Sequence, residues 1–188
     1  TDFVTLEPAQ VDQVVARVLD GYKSWIDGFR AHSKAHLIVH NLEMPEHPAS
    51  GVFDAIAERG QVEAFQKINA GIAALARSKS NVYVLDYAGL VARVGGAAWR
   101  DERKWLTVRM PIAAGRMGEL VREWMRFLHP ITGKTCKALV LDLDNTMWGG
   151  VIGEDGMNGI KLDGEYPGAA FQAFQRVAND LFERGIIL

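Results

Sequence analysis

Two aspartates one residue apart follow an apolar run, Leu139-Val140-Leu141-Asp142-Leu143-Asp144-Asn145-Thr146. Side chains alternate along a strand, so Asp142 and Asp144 fall on one side with Leu143 opposite. Carboxylates that close repel each other unless a cation lies between them or one takes a proton. Both solutions suit phosphoryl transfer. One carboxylate can attack phosphorus and carry it as an aspartyl-phosphate, while Mg²⁺ neutralises the charge around the transferred group. Mg²⁺ prefers one or two carboxylates plus phosphate and water, which two aspartates on a loop can provide. For a bare D-x-D the competing explanation is stronger: two aspartates that end a buried strand and cap a turn. Calcium is excluded more directly. An EF-hand loop starting at Asp142 needs glycine where Met147 stands and glutamate where Gly153 stands, and its lead-in should be a helix.

The lead-in here has no polar alternation, which predicts a strand over 138–141 buried on both faces of a parallel sheet. Ligands in open α/β sheets bind just beyond the carboxyl ends of strands, where these aspartates lie. A glycine-rich stretch follows from Gly149 to Gly168. Pro167 is suited to the first position of a helix, with Phe171, Phe174, Val177, Ala178, Leu181 and Phe182 on its buried face and Gly185 ending it. Ile186-Ile187-Leu188 then opens another strand. Upstream, Val11, Val14, Val15, Val18, Tyr22, Trp25, Ile26 and Phe29 recur at helical steps. A second helix is expected over 62–77, with Val62, Phe65, Ile68, Ile72 and Leu75 inward. A third is expected over 116–128, with Met117, Leu120, Val121, Trp124 and Leu128 inward. Strands are expected at 36–40 and 82–85, and a polar loop from Gly95 through Lys104. Strands alternating with helices predict a layered α/β fold with a mainly parallel sheet. The run from His129 to Thr135 punctuates the pattern, giving a domain over 1–128, a linker over 129–136 and a second domain over 137–188.

Asp142-Leu143-Asp144-Asn145-Thr146 after a hydrophobic strand resembles the first motif of the haloacid dehalogenase superfamily. The longer string from Lys137 through Trp148-Gly149-Gly150-Val151-Ile152-Gly153-Glu154-Asp155-Gly156 is similar to its FkbH-like subfamily. Gly159-Ile160-Lys161-Leu162 and the run from Pro167 to Gln175 extend that likeness. The resemblance implies that Asp142 is the nucleophile and a Mg²⁺ ligand. Asp144 would be the general acid/base, giving the metal its backbone carbonyl, and Thr146 would steady the phosphate loop. It further implies a phosphorylated small-molecule substrate. For close neighbours this is a phosphoglycerate whose glyceryl unit is loaded onto an acyl carrier protein on the way to methoxymalonyl units for polyketides. The fold implied is an SGNH-hydrolase-like, flavodoxin-like parallel-sheet domain followed by the start of a Rossmannoid catalytic domain. A plain Mg²⁺ phosphatase acting on a phosphosugar or another metabolite is the alternative, and a carrier-protein docking module without catalysis is a third. Family members also carry a phosphate-binding Ser or Thr, a Lys and an acidic pair downstream, so residues 1–188 alone are expected to have negligible activity. The start at Thr1 without methionine and the apolar run at 186–188 predict that both ends are cut.

Net charge is −2 and the isoelectric point about 6.2, so no basic footprint for nucleic acid or anionic membrane is present. No apolar run approaches the roughly 20 residues of a membrane helix, and no signal-peptide pattern opens the chain. Cys136 is the one cysteine in the sequence, which excludes an internal disulfide and predicts a reducing, cytoplasmic setting. Cys136 is also a candidate acyl-holding thiol. Relatives carry a cysteine where Ala138 stands, and by alternation Cys136 shares its side. A small buried or linker thiol is the competing explanation. Three other signals are weaker. Gly133-Lys134-Thr135 ends like a P-loop but follows a helix and lacks glycine at Leu128. His36, His40, Glu43, Glu46 and His47 are dense in possible ligands yet fit no zinc spacing. Asp101-Glu102-Arg103-Lys104 has lysine where an SGNH-type triad needs histidine, which leaves a solvated charged loop.

Overall fold

The computed structural model describes residues 3–188, with Val4 described by its backbone alone. Thr1, on which the expectation of a cut amino end rests, lies outside the described residues. The chain forms two compact units, one running to Phe127 and the other Leu128–Leu188.

The first unit opens with α1 (Pro8–His32), where Glu7 and Gln10 close a reciprocal capping box and Pro8 stands in the first turn. Next come β1 (Leu37–His40), α2 (Gln61–Arg77) and β2 (Val82–Leu85). The two strands pair in parallel, with Leu37 opposite Val82 and His40 opposite Leu85, so α2 is the crossover of a βαβ unit. Val39 and Val84 pack with Val11, Val15, Ile68 and Ile72 of α1 and α2 on one face. Ile38 packs with Leu85, Leu90, Val91, Trp99 and Leu120 on the other. Helices thus cover both faces of a two-stranded parallel sheet, as α/β layering requires.

Between Tyr87 and Val108 the structure departs from expectation. The segment predicted as a polar loop, Gly95 through Lys104, holds α4 (Gly96–Trp99) and the start of α5 (Glu102–Val108), and α3 (Tyr87–Val94), for which no element was expected, precedes it. Asp86 and Asp101 cap α3 and α5 by accepting from the Gly89 and Lys104 amides, at 3.0 Å each. Gly95, at φ +91°, turns the chain between α3 and α4. The unit ends in α6 (Met117–Ile131), which runs on past Phe127. The linker expected from residue 129 therefore begins as helix. Pro130 lies in the last turn, where it interrupts little of the ladder. The stop comes three residues later, where Gly133 (φ +77°) and Lys134 donate to the Pro130 and His129 carbonyls in a Schellman motif. Several side chains expected inward lie outside: Trp25 is 70% exposed, and Met117, Val121, Trp124 and Leu128 are all exposed, leaving Leu120 as the buried anchor of α6.

In the second unit the run at 138–141 is extended but is not a fully formed strand. It makes one parallel bridge, Ala138 to Ile187, with hydrogen bonds from Leu139 N–H to the Ile187 carbonyl (2.8 Å) and from Ile187 N–H to the Lys137 carbonyl (2.9 Å). Burial on both faces is not found. Val140 is 95% exposed, because the Ala138–Ile187 bridge is the one pairing this run makes among the described residues. After α7 (Ile152–Asp155), α8 (Gly168–Glu183) makes the return crossover. Pro167 is the residue just before α8 and not its first turn. Gly185 ends the helix at φ +89°, with Ile186 donating to the Leu181 carbonyl. Ala178 is buried, but Phe174, Val177 and Phe182 are exposed, since two short extended segments cannot cover the whole apolar stripe.

Candidate functional site

Asp142 lies at the end of the extended run, exposed, and its Oδ1 accepts from the Leu143 amide at 2.9 Å. The Leu143 carbonyl then accepts from Thr146 N–H (3.2 Å) and Met147 N–H (2.8 Å), which folds the chain into a tight turn. Asn145 occupies the left-handed region at φ +57°, one that asparagine tolerates better than most residues. Its side-chain oxygen accepts from Gly150 N–H at 2.9 Å, and its own amide donates to the Gly150 carbonyl at 3.2 Å. Asp144 is half-buried, and its Oδ1 accepts twice, from the Trp148 indole N–H at 3.0 Å and the Ile152 amide at 3.2 Å.

The sequence around the aspartates explains why this loop holds. Gly149 exchanges two backbone hydrogen bonds with Lys161, at 3.0 and 2.7 Å. A Cβ there would meet the Phe171 ring at 2.8 Å, so the close approach requires glycine. Gly150 has φ +101°, and a Cβ on it would meet the Asp155 carboxylate at 2.8 Å; that carboxylate in turn accepts from Val151 N–H at 2.8 Å. Gln175 reaches from α8 to the Met147 carbonyl at 2.7 Å, and Gln172 to the Leu162 carbonyl at 2.9 Å. The loop is therefore fixed by a polar lattice, not by burial.

The structure brings Asp142, Asp144 and Thr146 onto one turn, with the Thr146 backbone bound to the Leu143 carbonyl. Cys136 is a free, exposed thiol in the segment after α6, outside this hydrogen-bonded turn. The residues missed from sequence are Asn145, Trp148 and Gln175 in their supporting roles. The available signal was the aromatic four positions after Asp144, just before the pair Gly149-Gly150. Every donor that Asp142 and Asp144 can offer is an oxygen, a set that fits a hard cation such as Mg²⁺ and leaves other positions to phosphate and water. Among the described residues no three His, Cys, Asp or Glu side chains gather as a metal cluster.

The histidine-rich segment of the first unit has structural partners instead. His36 Nδ1 lies 3.1 Å from the Tyr83 hydroxyl, and His40 Nε2 accepts from the Trp124 indole N–H at 3.0 Å. Burial holds the His40 imidazole below its ordinary pKa, favouring the neutral ring that this bond needs. Glu43 pairs with Arg100 at 2.8 Å. The P-loop-like Gly133 ends a helix, and Asp101 caps one. A cleft of about 530 Å³ lies among Glu43, His47, Arg100, Asp101, Trp105 and Pro111, and a groove of about 750 Å³ runs along α8 by Met147, Gln175 and Leu188. Neither is lined by Asp142 or Asp144, so residue chemistry locates the candidate site and concavity does not. Among the described residues no helix is long and apolar enough to cross a membrane.

No family model matches the chain, and no curated protein matches it in sequence. A solved structure does. The chain is similar to the crystal structure of the N-terminal part of the protein BF1531 from Bacteroides fragilis, which contains a phosphatase domain complexed with Mg. The TM-score is 0.84 at 24% identity, over 98% of this chain and 48% of that one, so the chain spans about half the length of its structural neighbour. At that identity the likeness establishes the fold: a helix-rich α/β architecture with a small parallel sheet, shared with a protein that carries a phosphatase domain.

Proposed function

We propose that the chain carries the nucleophile loop of a Mg²⁺-dependent phosphoryl-transfer enzyme of the haloacid dehalogenase type, with phosphatase-like chemistry. The observation behind this reading is the division of labour between two adjacent carboxylates. Asp142 is exposed at the end of the extended run, while Asp144 is held from behind by two N–H donors. The fold shared with a protein containing a Mg-complexed phosphatase domain supports the same reading.

In this mechanism a carboxylate oxygen of Asp142 attacks phosphorus, forming the aspartyl-phosphate as the bond from phosphorus to the leaving oxygen breaks. Asp144 gives its proton to that oxygen, then takes one from the water that hydrolyses the aspartyl-phosphate. When bound, Mg²⁺ would be held by the Asp142 carboxylate and the Asp144 backbone carbonyl, and would neutralise charge on the transferring group. Thr146 steadies the turn. Within this class the FkbH-like resemblance favours a phosphoglycerate substrate and transfer of its glyceryl unit to an acyl carrier protein, with Cys136 as a candidate thiol for the acyl group. It also favours an SGNH-like first domain. Hydrolysis of another small phosphate ester is the reading nearer to the structural neighbour, which contains a phosphatase domain complexed with Mg.

The test uses the full-length gene product with Mg²⁺ and acetyl phosphate. Acid quenching and mass spectrometry should place the phosphoryl group on Asp142, and beryllium fluoride should attach there too. Phosphate mapped to Asp144, or normal turnover by Asp142→Asn, would reverse the assignment. The same assay on residues 1–188 alone is expected to give negligible phosphate release, since phosphoryl transfer relies on several positioned charges acting together.

A further inference from the structure

An aspartate at the tip of a turn has two equivalent oxygens and a terminal torsion that is broad and roughly two-fold. Without restraint either oxygen can face the reacting atoms, and half of the geometry is wasted. Around Asp144 that equivalence is broken. Oδ1 accepts from both the Trp148 indole N–H (3.0 Å) and the Ile152 amide (3.2 Å). We propose that Trp148 is a positioning residue that, with the Ile152 amide, occupies Oδ1 of Asp144 so that Oδ2 carries the proton to the leaving group and from water. This rests on the reading of Asp144 as general acid/base.

Trp148 suits the task because it is itself fixed. The Met147 carbonyl before it accepts from Gln175 of α8 at 2.7 Å, and Gly149 after it is bound to Lys161 through both backbone groups. The indole is half-buried, and its N–H is a donor only, so it can never compete for the proton that Asp144 carries. Phenylalanine would fill much of the same space without the N–H. The indole N–H, not the ring volume, is therefore the part that bears on the reaction.

The experiment exploits the leaving group. Glycerol phosphate leaves as an alkoxide that needs a proton, whereas acetyl phosphate leaves as a carboxylate that does not. In the full-length protein with Mg²⁺, Trp148→Phe should lower single-turnover phosphorylation by glycerol phosphate about 10- to 100-fold. Phosphorylation by acetyl phosphate should fall less than about 3-fold, with KM nearly unchanged for both. In an Asp144→Ala background Trp148→Phe should have no further effect. A loosened loop would instead slow both esters alike, and that outcome overturns the proposal. Trp148→His, which keeps a ring N–H, should recover part of the loss and guards against a phenylalanine variant that folds poorly. A second readout needs neither metal nor turnover. With ¹⁵N-labelled tryptophan, the Trp148 indole N–H resonance should move upfield in Asp144→Ala while those of Trp25, Trp99, Trp105 and Trp124 stay in place. An unmoved Trp148 resonance also sinks the idea. A wild-type protein with no Mg²⁺-dependent phosphorylation would remove the underlying reading; phosphorylation with an unaffected Trp148→Phe variant would remove this inference alone.

Discussion

The two units keep their order by different means. In the first, apolar side chains do it: Ile26, Ile72, Leu85 and Trp99 are fully or almost fully buried, and three clusters line the sheet and its helices. In the second, among the described residues, Ala178 is the one apolar side chain beyond glycine that is buried. Order there comes from hydrogen bonds at Asp144, Asn145, Gly149, Asp155, Gln172 and Gln175. A site that admits a charged ester and water, as proposed for this one, cannot be walled in by leucines. A lattice of backbone and amide bonds can stay hydrated and still hold two carboxylates in fixed relation.

The sharpest way to break this contrast is to exchange aspartates for non-carboxylates in each unit. Asp142→Asn should reduce Mg²⁺-dependent turnover of the full-length protein by about 10⁴-fold, with unfolding unchanged within about 0.5 kcal/mol, as for most exposed positions. Asp54 is the opposite case. It is 5% exposed and accepts from the amides of Gln61 and Val62, at 2.9 Å each, at the start of α2. Asp54→Ala should cost about 1–3 kcal/mol of stability and leave the chemistry per folded molecule intact. Paired turnover and urea-unfolding measurements decide. A stability loss at Asp142 or an activity loss in folded Asp54→Ala would erase the distinction.

Apolar truncations sharpen the same contrast. Ile72 of α2 has no exposed surface, so Ile72→Ala leaves a cavity and should cost about 2–5 kcal/mol. Val177 of α8 is 55% exposed, and Val177→Ala should cost less than about 1 kcal/mol. Chemical unfolding of each variant reads this directly. A large loss at Val177 would mean that its face is covered in the intact protein and that the second unit has a core of its own.

Legibility in the sequence followed the same division. Helical periodicity located α1 and α2 because their stripes meet a real core, and β2 was found at its true ends, Val82–Leu85. It failed where patterning outran packing. The stripes of α6 and α8 are strongly amphipathic, yet Trp124, Val177 and Phe182 remain exposed, since period reports what a face can bury and not what covers it. The missed helices between 87 and 108 were signalled by caps, Asp86 and Asp101, of which Asp101 lies in the run that composition masked as a charged loop. At the candidate site the residue types Asp142 and Asp144 were visible from strand-end logic, and Thr146 only from the family resemblance. The supporting bonds of Asn145, Trp148 and Gln175 were not, because they join positions whose proximity only the folded turn creates.

The smallest expected effect concerns pH, and it lies in the first unit. His40 ends β1 with its ring stacked on Tyr87 at 5.7 Å, and its Nε2 accepts from Trp124. That bond requires a neutral imidazole with its proton on Nδ1, and burial depresses the ring's pKa accordingly. In the unfolded chain the ring titrates near its ordinary value of about 6.5. Stability from this site is therefore complete above about pH 6.5. It falls as pH drops toward the depressed native value, because the unfolded chain takes up a proton that the folded one resists. The ring is only partly buried, so solvent screening should keep the loss below about 1 kcal/mol. The carboxylates held low, Asp27 by Lys79, Glu63 by Lys67 and Asp86 by Asn41, act in a separate window. Their contribution is present above about pH 4 and is lost only below it. Urea unfolding at pH 8, 6.5 and 5 should thus show a decline in the wild type that His40→Gln, which can still accept from Trp124, does not share. Parallel curves for the two proteins would show that the His40–Trp124 bond tolerates a charged ring or is not kept in solution.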